Sequence, residues 1–158
     1  MWCPKDNNIY LTYQNDGKTD PNCLIRFKPD GTGGEFPVGQ SKDLCDGTPH
    51  GLKIATEDGV EYLYHANNNQ KLTKTTLDGT IVWQRLGNFG QDASLAYRPT
   101  WFAVPPASKY IYLCDGCAPA ASASRTAPPA PGLTCPLRRV PQTAPTMSTS
   151  STGPTARG

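Results

Sequence analysis

PHGLKIATEDGVEYLYHA, residues 49–66, sets two short strand-like runs on either side of an Asp-Gly turn. The pattern returns in RPTWFAVPPASKYIYLCDG, residues 98–116. Pro49 falls over Pro99, Leu52 over Phe102, Ile54 over Val104, and the Tyr62–Tyr64 run over Tyr110–Tyr112. Upstream, IYLTY…LIRFKPDGT (9–32) matches YLYHA…LTKTTLDGT (62–80), with a longer loop in the first copy. Short runs rich in Tyr and β-branched residues alternate with PDGTGG, EDG, NNN and LDGT turns, and no long helical period interrupts them. The chain is therefore expected to be all-β.

Each unit follows one grammar. An inner strand comes after Pro, a Tyr-rich central strand follows, and an outer strand ends at PDG or LDG. TIVWQRL (80–86) is an edge strand that completes the unit. Tyr-rich runs recur about every 50 residues, a spacing expected of propeller blades, and four antiparallel strands make one blade. The chain holds the end of one unit, a complete unit (49–87) and the first half of a third (98–116). The expected architecture is an incomplete β-propeller whose blades pack only on their neighbours. Apolar faces would then stand open at both ends, so self-association through them is expected.

Composition divides the chain at residue 116. All 14 aromatic and all 13 acidic residues lie at or before position 115, and residues 117–158 contain neither. That segment carries 8 of the 16 prolines and four arginines. Residues 1–116 hold 11 Lys and Arg against 13 acids, so the basic balance belongs to the tail and argues against nucleic-acid binding by the domain. The domains read as 1–116, a partial propeller, and 117–158, an Ala/Pro/Ser/Thr/Arg tail. The tail is expected to be disordered or translated out of frame. No apolar run reaches 18 residues and no signal-peptide pattern opens the chain, so no membrane association is expected and the compartment stays open. Cys3, Cys23, Cys45 and Cys114 lack the tight spacing of a disulfide framework, and Cys114–Cys117 is a lone CxxC.

The P-x-x-[LF]-x-[VI]…Y-[VL]-x-D form of the repeats, with DG at the outer turn, resembles six-bladed propellers of the NHL-repeat type. Within that class, PHGL (49–52) and RPTWFAV…YIYLCDG (98–116) resemble the peptidyl-α-hydroxyglycine α-amidating lyase propeller. The resemblance implies that His50 is a zinc ligand and that the Leu52 backbone carbonyl is a calcium ligand. Zinc and calcium are thus the cofactors implied for a full-length parent. Asp115, which the DG pattern first marks as a turn residue, is the candidate to line the central channel. The chain also departs from the family: Cys117 stands where the catalytic tyrosine follows DG, and the further zinc histidines would come from later blades.

The function expected is that of a propeller fragment serving as a binding or scaffold module for a protein or peptide ligand, without catalysis of its own. An amidating-lyase-like zinc enzyme is the alternative, and a small disulfide-bonded secreted protein is the second alternative. Trp83 and Trp101 are expected to pack between blades.

Overall fold

The computed structural model describes residues 1, 3, 5–14, 22–87, 98–105, 108–116 and 137–142. They form three antiparallel sheets. The first pairs β1 (Ile9–Thr12) with β2 (Leu24–Phe27). The second runs in chain order through β3 (Pro49–Glu57), β4 (Val60–Asn67), β5 (Lys71–Thr75) and β6 (Ile81–Leu86). The third joins β7 (Pro99–Ala103), β8 (Tyr110–Asp115) and β9 (Leu137–Pro141). A single helical turn, α1 (Lys42–Cys45), precedes β3, and Ser41 caps it by accepting from the Leu44 N–H. The all-β expectation holds, and the complete unit is a four-stranded antiparallel meander.

The repeats seen in sequence are repeats of register. Leu52 pairs with His65 and Lys53 with Tyr64; in the third sheet Phe102 pairs with Leu113 and Ala103 with Tyr112. Both ladders are interrupted just after the proline, between Pro49 and Leu52 and between Pro99 and Trp101. These are bulges, which bend a strand and aim its side chains anew. The outer turns repeat as well. Asp30 accepts from the Thr32 N–H at 2.9 Å, and Asp78 accepts from the Thr80 N–H at 3.2 Å. Gly31 and Gly79 supply the positive φ that each turn needs, 81° and 88°. Even the first sheet traces the full unit: Met1 and Cys3 hydrogen-bond beside β1, and Glu35 bridges to Arg26 on the far side of β2.

The sheets stack face to face because alternate side chains of each strand point to opposite faces. Tyr10 and Leu24 of the first sheet pack with Leu52 and Leu63 of the second. On the opposite face of the second sheet, Tyr64, Ala66, Leu72 and Trp83 pack with Phe102, Val104, Ile111 and Leu113 of the third. Trp83 is thus buried between sheets as expected. Trp101 is half-exposed and stacks beside Phe102 with ring centroids 6.4 Å apart. The second sheet is covered on both sides, whereas among the described residues the outer faces of the first and third are not.

One strand was not expected. The tail is read from composition as disordered, and most of it (117–136 and 143–158) lies outside the described residues. Leu137–Pro141 nevertheless forms β9, antiparallel to β8 in the third-strand position. Cross-strand pairing there repeats that of the other sheets: Tyr10 faces Arg26, Tyr64 faces Lys74 and Tyr112 faces Arg139. A Leu-x-Lys/Arg pattern underlies all three, at Leu24–Arg26, Leu72–Lys74 and Leu137–Arg139.

The cysteines also differ from their spacing. Cys23 and Cys45 form a disulfide across 22 residues, with Cα atoms 5.2 Å apart, and pack with Leu44 against Ile81. The bond ties the approach to β2 to the helical turn that leads into the second sheet. Replacing both cysteines by serine is expected to cost about 3 kcal/mol through loss of loop constraint, measured by urea unfolding. Phe102→Ala, which empties the seam between the second and third sheets, is expected to cost about 3–5 kcal/mol. Val38→Ala, at a fully exposed site, is expected to stay within about 0.5 kcal/mol in the same assay.

Candidate functional site

His50 lies in the bulge at the start of β3, at one end of the strands of the middle sheet. Its side chain is exposed, and its Nε2 accepts a 2.8 Å hydrogen bond from Asn68 Nδ2 in the turn after β4. Leu52 stands two residues on, opposite His65 in the ladder, with its side chain buried against Tyr10 and Leu63. Asp115 pairs with Pro99 at the same register that Asn67 takes opposite Pro49. The Asp115 side chain lies outside the described residues. Asn67 shows what that register position does in the complete unit. Its amide donates to the Asp46 carbonyl at 2.8 Å and its oxygen accepts from the Asn69 N–H at 2.9 Å, bracing the turn.

The three residues named from sequence therefore gather at the bulge end of neighbouring sheets, His50 and Leu52 on the second and Asp115 on the third. Gly51 is what lets these ends approach. A Cβ on Gly51 would lie 2.9 Å from the Thr100 carbonyl oxygen and 3.2 Å from the Trp101 Cα, so no larger residue fits without moving backbone. Among the described residues no group of three or more His, Cys, Asp or Glu is placed to hold a metal ion, and a catalytic zinc needs three protein ligands. The described residues alone do not compose that set.

A second polar feature was not read from sequence. The face of the second sheet that meets the first carries a buried polar strip. Cys3 Sγ donates to Glu61 Oε2 at 2.8 Å, His65 Nε2 lies 2.9 Å from Thr75 Oγ1, and Gln84 Nε2 donates to Thr73 Oγ1 at 3.2 Å. Burial pushes the Cys3 thiol up to about 12 and holds His65 down to about 3, so both stay neutral near pH 7. Lys71 is buried beside this strip; it donates to the Asp43 carbonyl at 2.7 Å and lies 3.8 Å from Asp46. Burial lowers its pKa, against the attraction of Asp46 and Asp43.

On the other face, a tyrosine, a carboxylate and a cation close on one another. The Tyr64 hydroxyl donates to Glu57, and Lys74 Nζ donates to the same carboxylate at 2.8 Å while sitting 3.8 Å from the Tyr62 ring. In the third sheet the Arg139 guanidinium sits 3.9 Å from the Tyr110 ring. Glu57 also borders a groove of about 590 Å³ between the β3–β4 and β7–β8 hairpins. Lys53, Asp58, Ser108 and Gln142 give it polar walls, and Ala55 and Val104 an apolar floor. The groove thus combines charged, polar and apolar surface.

His65 makes stability depend on pH. Its folded pKa lies below the ordinary value near 6.5 because burial disfavours the charged ring, so above pH 6.5 its burial carries no protonation penalty. As the pH drops from there toward 3 the unfolded chain takes up the proton first, and stability falls by up to about 1.4 kcal/mol per pH unit. His65→Leu, which installs the type of residue that Leu113 provides at the equivalent register, is expected to flatten this dependence. Urea unfolding of both chains between pH 7 and pH 4.5 measures the difference; parallel curves would exclude His65 as the source.

No family model matches the chain, and comparisons with curated proteins and with solved structures return no match.

Proposed function

We propose that this chain is part of an NHL-type β-propeller and serves as a binding module for a protein or peptide ligand, without catalysis of its own. The observation that carries this reading is the repetition of one strand register in stacked sheets, bulge for bulge and turn for turn. A stack of that kind presents hairpins side by side, and the groove between the β3–β4 and β7–β8 hairpins is the surface it offers to a ligand. Lys53 supplies the cation there, and Glu57 and Asp58 the anions.

Two features bear on the alternatives. His50 in PHGL supports an amidating-lyase-like activity, with zinc and calcium, for a longer propeller. The Cys23–Cys45 disulfide supports placement in an oxidising compartment. Among the described residues no helix is long and apolar enough to cross a membrane.

Panning a random-peptide display library against the chain is expected to enrich a ligand whose affinity Lys53→Glu lowers about tenfold, equivalent to about 1.4 kcal/mol. A library that enriches nothing overturns the binding role. In parallel, protein purified with zinc and calcium supplied is expected to retain less than about a tenth of an equivalent of zinc, well short of the single ion a catalytic site holds. It is also expected to leave an α-hydroxyglycine-extended peptide uncleaved. A full equivalent of zinc, lost in His50→Ala, together with cleavage of that peptide would replace the binding reading with the lyase one.

A further inference from the structure

The two seams inside the chain are built alike, and the two outer faces are the halves of a third. In each seam a sheet turns its tyrosine face to the next sheet. Tyr10 and Tyr64 are 0% exposed beneath their followers. Tyr112 occupies the same register in the third sheet, opposite Arg139 as Tyr64 is opposite Lys74, yet it is only half-buried.

At the other end of the stack, the first sheet presents the face opposite Tyr10. Ile9 and Leu11 hold the positions that Ile111 and Leu113 hold where the third sheet covers Tyr64. Ile25 and Phe27 extend that apolar surface along β2. Leu11 is 51% exposed and nearby Phe36 is 46% exposed, where Ile111 and Leu113 are 0% exposed. Large apolar side chains gathered on one open face mark an interaction surface.

We propose that a second copy of this chain seats its Leu11 face on the Tyr112 face of the first, head to tail. The occupant follows from continuity: the same pair of faces is already joined twice within one chain. The contact is heterologous, since different patches meet, so it closes into a ring or runs on as a filament. Two copies bring six sheets, within the range in which rings of such sheets close, and the closed pair is the product inferred. The cation over the tyrosine face does not bar docking, because Lys74 already lies within a seam of the chain. This inference rests on the repeat stack and not on the ligand-binding role.

Light scattering of the disulfide-intact full chain at micromolar concentration is the test. The wild type is expected to run at the mass of two chains, and Leu11→Asp and Tyr112→Lys each at the mass of one. Mixing those two variants is expected to restore a two-chain species, since each retains the face that the other lacks. Val38→Asp, an exposed control, is expected to leave the pair intact. A wild type of single-chain mass, a Leu11→Asp variant that still pairs, or a mixture that stays monomeric overturns the docking. A ladder of larger species overturns the closed pair. The melting temperature of Tyr64→Ala separates this from the repeat stack. A monomeric chain that Tyr64→Ala still destabilises loses the docking alone, whereas an unmoved melting temperature removes the stack as well.

Discussion

The structure depends on one repeated contact, a tyrosine on a central strand covered by the next sheet. Burying its ring removes a large apolar surface from water, but the hydroxyl enters the seam with it and needs a partner. Tyr64 answers by donating to Glu57, and Lys74 neutralises that carboxylate at 2.8 Å. Tyr10 answers by donating to Asp6 at 2.5 Å. Burial and the neighbouring carboxylate push both phenols upward, so the hydroxyls keep their protons and remain donors. Because the groups satisfy one another, the cost of losing any one exceeds its own contact: its partners would stay buried and unpaired.

That contact constrains the remaining packing. Sheets stacked on tyrosines must come close at their inner ends, where side chains would otherwise collide. Gly51 meets this demand directly, lying against the Thr100 carbonyl. The bulges after Pro49 and Pro99 open the ladder at that same point. The Cys23–Cys45 bond then holds the linker between the first two sheets against Ile81. Close approach, bulge and disulfide are therefore three local solutions to one requirement, keeping successive sheets in face contact.

Much of this was legible in sequence because the pattern that repeats is also the pattern that packs. Pro49 over Pro99 and Leu52 over Phe102 correspond in the structure at the level of hydrogen-bond register, and the LDG and PDG turns share their backbone hydrogen bonds and the bond from the threonine N–H to the aspartate. Other features were not legible, for physical reasons. The disulfide was missed because spacing along the chain says little about distance across a stack. The neutral state of His65 depends on burial between sheets, which alternation within β4 does not reveal. His50 and Leu52 were selected by resemblance and Asp115 from the DG turn; the structure shows where they stand, and the hydrogen-bond partner of His50 is an amide rather than another metal-binding side chain.

The fate of the tail shows how far the repeat controls its surroundings. Composition alone argues for disorder from residue 117 onward, since that segment contains no aromatic residue and little large apolar surface. Composition is an average, however, and strand pairing is decided locally. The edge of β8 carries backbone N–H and C=O groups that a third strand must satisfy, and an unpaired edge is a template for any compatible segment. Leu137-Arg138-Arg139 matches the Leu-x-Lys/Arg spacing that β2 and β5 use in the same position. Arg139 consequently reaches the Tyr110 ring much as Lys74 reaches the Tyr62 ring. The vacancy beside β8 therefore selects a short segment by register and cation placement, and a tail with few other structural signals can fill it.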